Sequence, residues 1–239
     1  MNQIEGAVAL VTGANRGLGQ ALVSALLEAG AAKVYAAVRE EQKLSQRDPR
    51  VVPLTLDLTR PQSSVDAANK AGDVTLLINN AGIMTAGSVL TASRAELTAD
   101  FETNVHGTLS VVKAFVPVLE RAPAGATIVN ILSLVSLASL PALGGYSASK
   151  AAAYSVTQAL RAELKPKRIA VLAALPALID TDMVRHLPAP KNSPAATAHG
   201  IIADIANGDE EIFPDPQAQQ LSVLWNQNHK QYERTFASF

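Results

Sequence analysis

Cysteine is absent from this chain of 239 residues, which removes disulfides, thiol nucleophiles and thiolate metal sites at once. Histidine is scarce. The 4 present are scattered, with no HExxH-like pair, so no metal site is expected. An excess of charge of one sign is missing too. A formal net charge of −1 sets up no field for nucleic acid or an anionic membrane, and neither is expected as a partner. A long uninterrupted apolar run is also lacking. The charge-free stretch from Ala122 to Ser149 is broken by Pro123, Asn130, Pro141 and Gly144-Gly145, which makes it a poor membrane span. The first residues show no basic start followed by a long apolar core, so the expected location is cytoplasmic. No internal repeat is visible.

What is present is a globular composition. At 48% hydrophobic and 17% charged residues, the chain is neither disordered nor fibrous. Its length suits one large domain that buries roughly three quarters of its unfolded surface and needs no covalent staple. Short apolar runs alternate with amphipathic stretches. Ala7 to Val11, Lys33 to Val38, Val51 to Leu56, Val74 to Ile78, Ala126 to Leu132 and Ile169 to Ala174 read as strands, with Glu211 to Phe213 as a short seventh. Leu18 to Ala29 and Arg60 to Ala71 read as helices. So do alanine-rich Ser147 to Leu164 and a long stretch from the capping-box pair Ser93 and Glu96 towards Arg121. Within that stretch Gly107 and Pro117 are weak points. Strands apolar on both faces and separated by helices predict an α/β fold, a doubly wound parallel sheet of six to seven strands in one domain over residues 1–239. Asp180 to Gly208 is polar, proline-bearing and only partly helical, a candidate substrate lid. Pro214 to Phe239 forms a tail that looks helical around Ala218 to Arg234.

Thr12-Gly13-Ala14-Asn15-Arg16-Gly17-Leu18-Gly19 follows the first strand and opens the first helix. Glycines let the backbone turn sharply and approach a pyrophosphate, and the helix N-terminus offers free N–H groups and a positive dipole end. The spacing is GxxxGxG, not the GxGxxG of the commoner dinucleotide fingerprint. An ordinary glycine-rich turn is the bland alternative, and the strand–turn–helix context favours nucleotide binding.

These residues resemble the TGxxxGxG signature of the short-chain dehydrogenase/reductase family, and the resemblance runs over about residues 6 to 213. Asn79-Asn80-Ala81-Gly82 matches the family's NNAG motif, and Tyr146-Ser147-Ala148-Ser149-Lys150 its YxxxK motif. Ser133 stands at the family spacing ahead of that tyrosine, and Asn104 where the family places a catalytic asparagine. The resemblance implies a Rossmann-type fold, a nicotinamide cofactor, catalytic Asn104, Ser133, Tyr146 and Lys150, and a homodimer or homotetramer.

Tyr146 and Lys150, at i and i+4, share one face of a helix. A phenol ionises near pH ~10, and an adjacent ammonium is expected to lower that value towards the working range. Tyr146 then exchanges a proton with a substrate oxygen. Ser133 ends an apolar strand, where open α/β sheets bind ligands, and its hydroxyl can stabilise developing oxygen charge. Ser136 competes for that role and is favoured instead as a loop hydroxyl. Asn104 sits unfavourably inside a helical stretch; by resemblance it anchors a proton-relaying water. His106 reads as a helix-surface or core residue.

No acidic residue ends the second strand, where one would accept bonds from the adenosine ribose and favour NAD. Arg39 follows Val38 there instead, and Arg16 lies in the glycine turn. Two guanidinium groups suit a 2′-phosphate, so NADP(H) is the expected cofactor, with Glu40 and Glu41 as possible tethers for Arg39. The resemblance implies cofactor contacts from Gly13, Asn15, Arg16, Gly17, Leu18 and Gly19 of the turn. It adds Arg39, Asp57 and Leu58, then Asn80, Ala81 and Gly82, and finally Tyr146, Lys150, Pro176 and Thr181. Ala177 replaces a usual glycine, which puts the local loop in doubt. Ile83, Met84, Val135, Leu143 and Met183 are candidate substrate contacts, with Leu134, Leu140 and Leu178 beside them. This aliphatic set suits an uncharged small-molecule carbonyl or alcohol, while Arg185 and His186 can reach an anionic group. The reading is an NADP(H)-dependent oxidoreductase interconverting a ketone or aldehyde and an alcohol, carbonyl reductase-like, with Tyr146 as general acid/base. The alternatives are a steroid-like or acyl-chain ketone reductase and a cofactor-sensing interaction protein with little turnover.

Overall fold

A computed structural model describes residues 4–185 and 189–238. Seven parallel strands form one sheet: β1 (Val8–Thr12), β2 (Lys33–Val38), β3 (Val51–Thr55), β4 (Leu76–Asn79), β5 (Ala126–Ile131), β6 (Ile169–Ala174) and β7 (Glu211–Ile212). Their order is β3-β2-β1-β4-β5-β6-β7. The chain therefore winds outward one way to β3, returns, and winds the other way from β4. That reversal opens a crevice beyond the carboxyl ends of β1 and β4, the usual ligand position in such sheets. Every residue of β4 and β5 is buried, which is why these strands read as unbroken apolar runs.

Helices cover both faces. On one side α1 (Gly17–Glu28) and α6 (Pro194–Asn207) pack on the sheet through Leu22, Leu26, Ile201 and Ile205. On the other lie α2 (Pro61–Lys70), α4 (Thr108–Leu119) and α5 (Gly144–Leu164), around Phe115, Val111 and Leu164. The predicted capping box opens α3 (Arg94–Phe101), with Glu96 N–H donating to Ser93 Oγ at 3.2 Å and Ser93 N–H to Glu96 Oε2 at 2.8 Å. Two further helices, α7 (Pro216–Gln227) and α8 (His229–Ala237), finish the chain. Among the described residues no helix is long and apolar enough to cross a membrane, and no cluster of His, Asp and Glu is arranged to hold a metal.

Three expectations need correction. The helical stretch from Ser93 to Arg121 is not continuous: Glu102–Gly107 forms a wider π turn between α3 and α4, while Pro117 stays inside α4. α5 starts at Gly144 rather than Ser147. The two glycines count against a helix by propensity but are needed for packing, since a Cβ at Gly144 would sit 2.5 Å from Val89 and one at Gly145 2.6 Å from Leu97. Within the 180–208 segment, Ser193 caps α6, and α6 buries Ala198, Ile201 and Ile205 against α1. The tail is two helices rather than one, divided at Asn228, whose side chain accepts from Gln231 N–H at 2.9 Å. Phe239 lies outside the described residues.

Candidate active site

The glycine turn is built for close approach. Arg16 stands at the N-cap of α1 in an extended conformation without a side-chain cap, which leaves the first N–H groups of the helix to a ligand. Gly13 and Gly17 have φ of 67° and 54°, the left-handed region that glycine adopts freely. A Cβ on Gly19 would lie 2.1 Å from the Gly13 carbonyl oxygen, and one on Gly17 would lie 3.0 Å from the Thr181 side chain. The turn is thus a backbone cradle with Thr181 across it. Leu18 is buried and holds α1 on the sheet, while Asn15 is partly open.

β1 and β4 are stitched beneath this cradle. Thr12 Oγ1 accepts from Asn80 N–H at 3.0 Å and Ala81 N–H at 2.9 Å, and Asn80 Nδ2 donates to the Thr12 carbonyl at 2.9 Å. Gly82 follows at the point of closest approach. A Cβ there would meet Asn104 Oδ1 at 2.9 Å and Lys150 Nζ at 3.7 Å. The structure therefore brings Gly82, Asn104 and Lys150 together from three separate motifs.

Asn104 occupies the π turn, which explains its presence in a helical stretch: widened turns expose backbone groups and suit functional positions. Its amide accepts from Ile83 N–H at 2.9 Å and donates to the Ile83 carbonyl and to Ser149 Oγ, both at 3.0 Å. Gly107 closes the π turn against Leu58, where a Cβ would sit 2.8 Å from the Leu58 carbonyl oxygen. Leu58 thus packs beneath this turn. His106 is exposed. Lys150 is buried, and its Nζ donates to the Ile131 carbonyl at 2.9 Å. Asn104 and Lys150 line a small cavity of about 10 Å³ together with Asn79 and Asn130. Asn79 Nδ2 donates to Asn130 Oδ1 at 2.8 Å, and Asn79 Oδ1 is buried without a partner.

Tyr146 is half-buried in the first turn of α5, with the Lys150 ammonium 5.8 Å from its ring centroid. The expectation that this ammonium lowers the phenol's ionisation is not met. Burial, and then the nearby Asp100 carboxylate, push Tyr146 above its ordinary value. Burial also pushes Lys150 down to about 8, against the upward pull of Asp100. The lysine points at a backbone carbonyl, and its ammonium is not among the causes that act on the phenol. Ser133 is partly open, and its Oγ accepts from Val135 N–H at 3.4 Å. Ser136 is buried with its hydroxyl unpartnered.

At the far end of the crevice, the suggested tethers bond elsewhere, Glu40 to Lys43 at 2.6 Å and Glu41 to Thr55 Oγ1 at 2.6 Å, although the Arg39 charge still helps to lower Glu40. Asp57 accepts from the Thr59 N–H and hydroxyl. Burial raises its carboxyl, but those bonds and the charges of Arg39 and Arg60 hold it below the ordinary range. Arg16 contacts Asp182 at 3.5 Å, and Arg185 pairs with the same carboxylate. His186 lies outside the described residues.

Ala177 sits in its loop without a left-handed backbone. No residue in that loop needs positive φ, and Ala177 N–H donates to Asp215 Oδ2 at 3.0 Å. Pro176 is buried beside it, its carbonyl accepting from Leu134 N–H at 3.2 Å. Of the candidate substrate contacts, Ile83 and Met183 are exposed and Met84 is partly open. Val135 and Leu143 are buried, Val135 in the cluster that receives the tail and Leu143 at the start of α5. Asp100, Asn79 and Asn130 were missed. Asp100 precedes Asn104 by one helical turn, and that i,i+4 relation was a readable signal.

A family model described as short chain dehydrogenase matches residues 7–192. A crystal structure of a short chain dehydrogenase from Burkholderia cenocepacia J2315 in complex with NADP superimposes with a TM-score of 0.92 at 42% identity, covering 98% of each chain. Carbonyl reductase [NADPH] 2 of Sus scrofa is 33% identical over 74% of this chain and 73% of its own length. A 3-alpha-(or 20-beta)-hydroxysteroid dehydrogenase of Mycobacterium tuberculosis H37Rv is 32% identical over 77% of this chain and 73% of its own.

Proposed function

The chain belongs to the short-chain dehydrogenase/reductase family, and from that premise we propose that it is an NADP(H)-dependent reductase of apolar ketones or aldehydes. The convergence of Gly82, Asn104 and Lys150 beside the glycine cradle carries this reading. The cradle fits a dinucleotide: Cβ atoms at Gly17 and Gly19 would fill it, and the α1 N-terminus faces it. Arg16 and Arg39 would hold a 2′-phosphate, and Thr181 would face the turn's other side. The NADP of the 42% identical Burkholderia structure supports the same cofactor.

The nicotinamide, when bound, supplies the hydride. Ser133 orients the substrate carbonyl and donates to its oxygen. Tyr146, protonated in this environment, delivers the proton to the developing alkoxide. Lys150, fixed by Ile131, would hold the ribose side of the site and lines the polar cavity. Asn104 fixes the Ile83 backbone through both ends of its side-chain amide. Exposed Ile83 and Met183 offer apolar contact to the substrate, which supports an uncharged carbonyl.

The test follows reduced-cofactor absorbance with a panel of ketones and aldehydes. NADPH-dependent turnover that Tyr146→Phe abolishes supports the reading. Tight NADPH binding without turnover on any carbonyl would replace it with a cofactor-sensing role.

A further inference from the structure

Asp100 belongs to none of the motifs, yet it is fully buried at the end of α3. Its Oδ1 accepts from the Thr85 N–H at 3.1 Å and the Thr85 hydroxyl at 3.2 Å. Its Oδ2 is buried with no hydrogen-bond partner. That oxygen lies against the first turn of α5, where a Cβ added to Gly145 would sit 3.4 Å away. Tyr146 follows Gly145 directly, and Lys150 stands one turn further on. An orphaned buried acceptor costs on the order of 1–3 kcal/mol, so something must favour its position. The first N–H groups of a helix lack intrahelical partners and carry the positive dipole end. α5 presents that end to Asp100.

We propose that Asp100 is a positioning residue of the active site: its carboxylate holds the loop after β4 through Thr85 and sets a buried negative charge against the first turn of α5, next to Tyr146. The proposal rests on the reading of Tyr146 as proton donor. A buried negative charge disfavours a phenolate and favours an ammonium, so Asp100 pushes both side chains upward. Burial raises the Asp100 carboxyl itself, while the Thr85 bonds and the Lys150 charge pull it back down. The titratable groups facing it are Tyr146 and Lys150, both on α5. The loop after β4 contributes only the neutral groups of Thr85, and Arg94, Glu96 and Glu102 on its own stretch are exposed. A tyrosine kept protonated donates rather than accepts, so Asp100 biases the site towards reduction.

Asp100→Asn keeps the volume and an acceptor for Thr85 while removing the charge. Two measurements read the result. The first follows Lys150 in the free protein by NMR of isotope-labelled lysine Cε, assigned with Lys150→Arg. The second is the pH profile of kcat/KM for reduction by NADPH. The Lys150 midpoint, about 8 in the native protein, is expected to fall by about half to one pH unit. Tyr146 and Lys150 titrate as a pair, so the alkaline limb of the profile moves to lower pH with it. An unchanged Lys150 midpoint in folded Asp100→Asn overturns the proposal even if kcat drops, because a merely structural defect lowers rate without moving a titration. If that variant does not fold, Asp100→Ser removes the same charge with a smaller side chain and is read the same way. Failure of the parent reading looks different: the native protein shows no NADPH turnover, while the Lys150 midpoint still decides the role of Asp100.

Discussion

The Tyr232 hydroxyl donates to the Leu134 carbonyl at 3.0 Å, joining the C-terminal helix to the turn that carries Ser133. Tyr232 is fully buried and stacks on Phe236 with ring centroids 4.7 Å apart. The tail therefore supports the active-site turn from behind. Tyr232→Phe leaves the Leu134 carbonyl without its partner and keeps the packing. The expected cost is about 1–3 kcal/mol of stability, read from urea unfolding, together with a lower kcat from a looser Ser133. Stability equal to the native protein would show that the tail only covers the core.

Gly19→Ala is the sharpest probe of the cradle. The added methyl would lie 2.1 Å from the Gly13 carbonyl oxygen, a backbone atom that has no rotamer to yield. The turn must open to accept it. Cofactor affinity is expected to fall at least about tenfold, equivalent to ~1.4 kcal/mol, in a fluorescence titration with NADPH. Ala21→Gly on the same helix is the control, with near-native affinity and a modest loss of stability of about 1 kcal/mol.

The strands were legible because a parallel sheet buries both faces and needs continuous apolar runs. The glycine turn and the Tyr146–Lys150 pair were legible because their chemistry requires fixed spacing. What escaped depends on contacts between distant elements. A π turn at Asn104 leaves the hydrophobic period almost unchanged, so a single long helix was the natural reading. Gly144 and Gly145 count against a helix until Val89 and Leu97 are seen pressing on them. The raised ionisation of Tyr146 was hidden for the same reason, since the burial around it and the Asp100 carboxylate come from elsewhere in the chain.

In the proposed reading cofactor choice rests on Arg39, whose acidic neighbours bond to Lys43 and Thr55. Arg39→Ala is expected to weaken NADPH binding by about 10- to 100-fold, the worth of a charge-assisted phosphate contact, and to leave NADH nearly unchanged. Asp182→Asn acts in the opposite direction, because it frees Arg16 from an exposed ion pair. Exposed pairs contribute about 0–1 kcal/mol, so the gain in NADPH affinity is at most a few-fold. Equal losses for both cofactors in Arg39→Ala would remove the 2′-phosphate clamp from the reading.

The buried lysine makes stability depend on pH with a definite sign. Lys150 titrates at about 8 in the folded protein, pushed down from 10.5 mainly by burial. Between those values the unfolded chain binds more protons than the native one, so stability rises with pH. Tyr146 works the other way, but only above its ordinary value of 10, because its folded phenol ionises later. The clean window therefore runs from about pH 8 to pH 10. Urea unfolding of the cofactor-free protein is expected to show a gain from this one group on the order of 2 kcal/mol across it. Lys150→Met removes the titrating group, so its stability curve should lack that rise and lie above a native curve corrected for the common slope at the acid end. A rise of the same size in Lys150→Met would place the titrating group elsewhere and return Lys150 to an ordinary ionisation.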